Sequence, residues 1–164
     1  MSRRLILANY GLGGDIEIDT TYAIYYTSSD GNVITPYRTN FGSAIVTNIY
    51  VNGQGIISFN GPVTTIGKSA FYLCTSLKSI TIPEGVTEIG QSAFYVCTSL
   101  TSVYCKAITP PSLGGYVFYG NHSDRKIYVP TGSVDAYKSA TNWSEYADAI
   151  VGYNFEESDE DSGE

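Results

Sequence analysis

The sequence predicts a short β-rich solenoid with short helical turns, an N-terminal β-hairpin cap and a C-terminal helical cap. Three observations carry that expectation. Two segments are near copies, VTTIGKSAFYLCTSLKSITIPEG from Val63 and VTEIGQSAFYVCTSLTSVYCKAI from Val86, set 23 residues apart. Every apolar position survives the offset: Val63 and Val86, Ile66 and Ile89, Phe71 and Phe94, Cys74 and Cys97, Leu77 and Leu100, Ile80 and Val103. A fixed period in the twenties marks units that bury their apolar sides only against their neighbours. Second, each copy runs into a short alternating segment of strand type. Third, the 17 Gly and 15 Tyr, with abundant Ser and Thr, suit a strand-and-turn architecture.

Along the chain, residues 1–20 are mixed and Gly-rich. Gly11, Gly13 and Gly14 lack the strand–turn–helix setting of a phosphate loop. Ala23–Tyr26 reads as a strand, Ser29–Asn32 as a hairpin turn and Val33–Pro36 as the returning strand. A second hairpin rises over Ala44–Val51, turns at Asn52-Gly53-Gln54-Gly55 and joins the stack at Ile56–Phe59, so that this antiparallel segment covers the first rung. In the repeat, Ile80 and Ile82 point inward and Thr81 outward, because strand side chains alternate. Pro83 ends the strand and Gly85 permits the turn. Ile66, Ala70, Phe71 and Cys74 have helical spacing, which predicts one or two helical turns per unit. A third unit is weaker. Phe118 and Ile127 continue the pattern, but Pro110-Pro111 and Gly114-Gly115 replace the Ile-Gly step. The expected stack therefore has four parallel strands, Ile57–Phe59, Ile80–Ile82, Val103–Cys105 and Ile127–Val129. Beyond it, Ser133 is placed to cap a helix, and Trp143, Tyr146, Ala147 and Ile150 share one helical face. Thr141-Asn142 breaks that segment into two short helices. The divisions are 1–56 (N-terminal β-rich segment), 57–130 (repeat array), 131–153 (helical cap) and 154–164 (disordered acidic tail).

The Ile-Gly step, the Ala-Phe pair, the Cys three after Phe, the Ser-Leu pair and the strand ending in Ile-Pro resemble the BspA-like, or Treponema pallidum type, leucine-rich repeats. The segment from Ile127 to Tyr153 also resembles the usual end of such arrays in proteins of gut Bacteroides type. The resemblance covers roughly 57–153. It implies a leucine-rich-repeat solenoid and a surface-recognition or adhesion function without catalysis. It also implies that Cys74 and Cys97 lie inside the stack.

Composition narrows function further. The formal charge is −7, yet the last nine residues hold six carboxylates and no base, so the body is close to neutral. A segment so charged and so poor in apolar residues is expected to be disordered. There is no basic stripe for nucleic acid and no apolar run long enough for membrane insertion. The N-terminal Arg3-Arg4 and the short apolar patch after them make no clear signal peptide. Cys74, Cys97 and Cys105 are expected as reduced, buried thiols, and without a CxxC pair no metal site or cofactor is predicted. The single histidine, His122, reads as a loop residue beside Ser123 and Asp124, and no enzyme is expected.

Two rows carry the binding expectation. On the outward strand face, Ser58, Thr81, Tyr104 and Tyr128 are equivalent, with Lys126 beside the last. Along one edge, Tyr72, Tyr95 and Tyr119 each follow a core Phe. Tyrosine with Ser and Thr neighbours is a frequent recognition mixture, although Tyr and Thr are also good strand residues. The partner expected is a protein or glycan on a cell or particle surface, with homo-oligomerisation compatible. The localisation is then a cell surface, or a virion if the protein is a structural or decoration component of a gut bacteriophage, which needs no signal peptide. An orphan structural domain is the third reading.

Overall fold

The computed structural model describes residues 2–8 and 13–156. The expected acidic tail lies outside the described residues from Glu157 onward, as does Gly11 of the glycine-rich stretch. Among the described residues twelve strands and a little helix build the fold: β1 (Arg4–Leu7), β2 (Ile16–Asp19), β3 (Ala23–Ser28), β4 (Ile45–Val51), β5 (Gln54–Phe59), β6 (Thr65–Ile66), β7 (Leu77–Ile82), β8 (Glu88–Ile89), β9 (Ser102–Cys105), β10 (Ser112–Leu113), β11 (Lys126–Pro130) and β12 (Ile150–Tyr153). Between β11 and β12 come a short 3-10 turn, α1 (Val134–Ser139) and a 3-10 helix over Trp143–Ala149.

The large sheet has the order β12-β11-β9-β7-β3-β5-β4, and a small parallel sheet has the order β10-β8-β6. β7, β9, β11 and β12 are parallel neighbours in register, with Ile80 opposite Val103 and Val103 opposite Ile127. The expected four-strand stack therefore needs two corrections. β5 is in the same sheet but does not touch β7, because β3 lies between them and pairs antiparallel with both. The fourth parallel strand is instead β12, in a segment expected to be helical to Ile150. A 23-residue offset identifies equivalent positions, but it is blind to a distant strand inserting between two of them. β3 fits there because Ile24 and Tyr26 face the core while both of its edges are paired.

The first expected hairpin does not form. Val33–Pro36 is not a strand. The chain is held there by side chains instead: Ile34 N donates to the Tyr26 hydroxyl at 3.1 Å, and Asn48 Nδ2 donates to the Ile34 carbonyl at 2.8 Å. The Tyr26 hydroxyl in turn donates to Asn48 Oδ1 at 2.8 Å. Gly55 makes room for that ring, since a Cβ there would sit 2.1 Å from it. The second hairpin forms as expected, with Asn52 (φ 51°) and Gly53 (φ 79°) as its two-residue turn between β4 and β5. β1 and β2 form a separate antiparallel ribbon in the stretch that carried no strand expectation.

The segments read as helical are chains of turns. Within one unit the amides of Ala70, Tyr72 and Cys74 donate three residues back, to Gly67, Ser69 and Phe71. The alternate amides of Ser69, Phe71 and Leu73 donate across to the next unit, to Gln91, Ala93 and Tyr95. The next unit repeats the scheme, with Ser92, Phe94 and Val96 bonded to Gly115, Val117 and Tyr119. Positive φ at Ser69, Leu73, Ser92 and Val96 departs from helical backbone and prevents a continuous helix. For β-branched Val96, at φ 55°, such a conformation costs of the order of 1–3 kcal/mol. The inter-unit bonds sustain it.

Each unit also holds the one before it through a side-chain donor. The Cys74 thiol faces the Thr35 carbonyl at 3.8 Å, and the Cys97 thiol donates to the Phe71 carbonyl at 3.0 Å. In the third unit Asn121 Nδ2 donates to the Phe94 carbonyl at 2.8 Å. Asn121 thus takes the Cys position one period on. Nor is the third unit missing its Ile-Gly step, as the sequence suggested. Leu113 pairs with Ile89, and Gly114 packs on the Gln91 backbone as Gly90 packs on Lys68.

Phe71, Phe94 and Phe118 stack nearly parallel, at 5.4 and 5.6 Å, with Phe41 tilted on the first of them. They form one core with the inward residues of the large sheet. At the other end Trp143 is buried against Phe118 and Tyr137, and its indole N–H donates to the Pro111 carbonyl at 2.7 Å. Asn142, at φ 65°, separates the two helical segments as expected. Ser133, however, makes no capping bond to α1. Its hydroxyl donates to the Ile108 carbonyl at 2.7 Å, because that acceptor is the one within reach.

Candidate functional site

On the outward side of the large sheet the register places Tyr25 beside Thr81, Thr81 beside Tyr104, and Tyr104 beside Tyr128. The Tyr104 and Tyr128 rings stack at 4.8 Å and 14°. Tyr153, from β12, meets both edge-on at 5.3 and 5.7 Å, and Phe155 lies edge-on to Tyr153 at 4.8 Å. Lys126 is exposed, two residues before Tyr128 and on the same face. Burial, with smaller contributions from Tyr128 and Tyr153, raises the Tyr104 phenol above its ordinary pKa. Ser58, read as the first outward position, is buried. β3 displaces it from the row, and its hydroxyl bonds Thr47 Oγ1 at 2.6 Å.

Tyr72, Tyr95 and Tyr119 form a separate ladder on the turns, stacked at 5.4 and 5.3 Å, with Tyr37 tilted on Tyr72 at 5.5 Å. Tyr37 and Tyr119 are the most open of these, each at 58%. Rings stacked this way turn their faces to one another. The seven expected site residues thus fall on two surfaces, four on the sheet and three on the turns.

Sequence reasoning missed Tyr25, Tyr153 and Phe155. Tyr25 alternates correctly in a strand that was recognised, but its place next to β7 has no local signal. Tyr153 carries no local signal, because the spacing of Trp143, Tyr146, Ala147 and Ile150 predicts helix where β12 forms.

Beside this cluster, β1, the sheet face and the chain after β12 enclose a groove of about 600 Å³. The β1–β2 ribbon is fastened by Arg4, whose guanidinium bonds Glu17 at 2.7 Å, and by Arg3 and Thr20, whose backbones bond Thr21 Oγ1 and the Arg3 carbonyl. The thiols are free. Burial pushes Cys97 up to about 12 and Cys105 up to about 11. Cys74, less deeply set, is also raised by burial, to about 11. His122 sits in an exposed loop, where its Nδ1 accepts from the Asp124 amide at 3.1 Å. Among the described residues no group of three or more His, Cys, Asp or Glu could hold a metal ion, and no helix is long and apolar enough to cross a membrane.

A family model described as BspA type leucine rich repeat region, in six copies, matches residues 45–156, from the first residue of β4 to just past β12. Among curated proteins the chain has no match.

Proposed function

This chain belongs to the BspA-type leucine-rich-repeat family, whose modules are of the protein-interaction and adhesion type, and from that premise we propose that it is a non-enzymatic recognition module. Its sheet face binds a protein or glycan on a cell or particle surface. One observation carries the reading: Tyr104, Tyr128 and Tyr153 gather on the outward face beside Lys126, at positions that the core pattern leaves free. Aromatic anchors with polar neighbours are where binding energy concentrates. In the same reading the N-terminal strands and the segment after β11 are caps. β3 closes one edge of the parallel stack with antiparallel bonds, and Tyr137 and Trp143 cover the end of the Phe ladder.

The test is the double change Tyr104→Ser with Tyr128→Ser, screened against glycan and matrix-protein arrays with thermal melts alongside. Because the rings are half-buried and stacked, the change costs about 1–2 kcal/mol, and the protein stays folded. Attachment to the surface recognised by the wild type is lost. Undiminished attachment would rule this face out.

A further inference from the structure

Resting on that recognition reading, we infer that the tyrosine ladder on the turns is a second binding surface, for an extended 1,4-linked polysaccharide that carries acidic groups. The charge on the turns has one sign. The four segments that carry the ladder, residues 35–43, 67–76, 90–99 and 113–121, hold two cations, Arg38 and Lys68, and no Asp or Glu, in a chain with 16 acidic residues. Both cations are exposed, and among the described residues neither side chain has an ion pair or a hydrogen bond. Arg38 lies over the Tyr37 ring, at 4.9 Å from its centre. With Tyr37, Asn40, Ser69 and Tyr72 the two cations line a recess of about 620 Å³ at the first end of the ladder. Uncompensated positive charge on an acidic protein draws an anionic partner.

Spacing selects the kind of polymer. Tyr37, Tyr72, Tyr95 and Tyr119 follow one another at 5.5, 5.4 and 5.3 Å. Among the described residues their hydroxyls have no hydrogen-bond partner, whereas those of Tyr26, Tyr50, Tyr137 and Tyr146 are all bonded. In an extended peptide, side chains on one side recur about every 6.7 Å, so a peptide falls out of step with the ladder by about 4 Å over its three intervals. One hexose of an extended chain with equatorial 1,4-linkages spans close to one interval, so successive sugars meet successive phenols. Apolar anchoring, which a peptide would use, is slight. Leu73 is 51% exposed, but Val96 is half-buried and Leu113 and Val117 are buried. Because the ring faces are turned to one another, the row offers a sugar chain hydrogen bonds rather than stacking, and the cations at its end take the acidic groups.

The full chain is tested by calorimetry at low and high salt with carboxymethyl cellulose oligomers, neutral cellohexaose and polyglutamate. Expected are binding of the carboxymethylated chain that weakens with salt, and weaker binding of both cellohexaose and polyglutamate. The double change Arg38→Gln with Lys68→Gln lowers affinity for the carboxymethylated chain about tenfold or more. Tyr72→Phe with Tyr95→Phe, which removes two hydroxyls and keeps the rings, lowers it about fivefold or more. Both variants keep the wild-type melt. Equal or tighter binding of cellohexaose or polyglutamate, or undiminished affinity in either double variant, would overturn the inference. If no probe binds while Tyr104→Ser with Tyr128→Ser abolishes attachment to another partner, the ladder assignment falls and the recognition reading stands. If neither surface matters to any partner, both fall.

Discussion

Replacing Gly90 by alanine tests how the stack is held at its tightest point. A Cβ on Gly90 would lie 2.5 Å from Lys68 N, 2.8 Å from Lys68 Cα and 2.9 Å from the Gly67 carbonyl carbon. All three are backbone atoms and cannot swing aside. Gly90 has no positive φ, so the effect is one of space and not of backbone conformation. Ordinary contact requires the two units to part by about 1 Å. Parting them stretches the bond from Gly90 N to the Ile66 carbonyl, now 2.7 Å, and the bonds from Ser69 and Phe71 to Gln91 and Ala93. It also loosens the Phe71–Phe94 stack. Losing one or two of these buried bonds at about 1–3 kcal/mol each, with part of a ring pair, gives a loss of about 3–5 kcal/mol. That is a large fraction of the stability of a small domain. Gly115→Ala is the control, because its Cβ would meet nothing within 4 Å. It should lie within about 0.5 kcal/mol of wild type. Urea denaturation of both variants supplies the numbers. If Gly90→Ala loses less than about 1 kcal/mol, the units are not held at this spacing, and the account of the Ile-Gly step is wrong.

Further expectations concern the core and the thiols. Phe94→Ala, which removes the middle ring of the Phe ladder, should cost about 3–5 kcal/mol in the same assay. A loss under about 1 kcal/mol would mean the ring is not packed as described. Asn121→Ala should leave the Phe94 carbonyl without its side-chain donor and cost about 1–3 kcal/mol, whereas Asn121→Cys should recover part of the loss; equal stability of all three would remove the positional equivalence with Cys97. Native Cys97 and Cys105 should resist alkylation at neutral pH and react once the chain is unfolded, and rapid native labelling would contradict their burial. Their raised values also set a pH dependence. Above about pH 9 the unfolded thiols lose protons that the folded ones keep, so stability falls by about 1.4 kcal/mol per pH unit for each such thiol. The fall should end where the folded thiols themselves ionise, at about 11 for Cys105 and about 12 for Cys97. Stability that stays level from pH 8 to 11 would refute it.

What the sequence made legible, and what it hid, divides along the range of the interactions. The 23-residue offset located Phe71, Phe94, Ile80 and Val103 in the core because each unit repeats the same local demand, and the Asn-Gly turn marked its hairpin by backbone chemistry alone. Helical spacing in the turns misled, since Ala70, Phe71 and Cys74 face inward just as they would on a helix. What differs is the destination of alternate amides, which lies in the next unit and leaves no trace in one repeat. The third unit looked degenerate because its step is written Leu113-Gly114 and its side-chain donor Asn121. Only the shared role of these residues, close backbone approach and donation to the preceding carbonyl, identifies them with Ile89-Gly90 and Cys97. The candidate site was half legible for the same reason. Tyr104 and Tyr128 follow from periodicity, whereas Tyr25, Tyr153, Arg3 and Arg4 arrive from segments that the repeat does not generate. The array supplies a regular row of outward positions, and its non-repeating flanks supply the irregular chemistry beside it. Specificity for one ligand is therefore expected to follow substitutions in β1, β3 and the chain after β12 more closely than substitutions within the repeats.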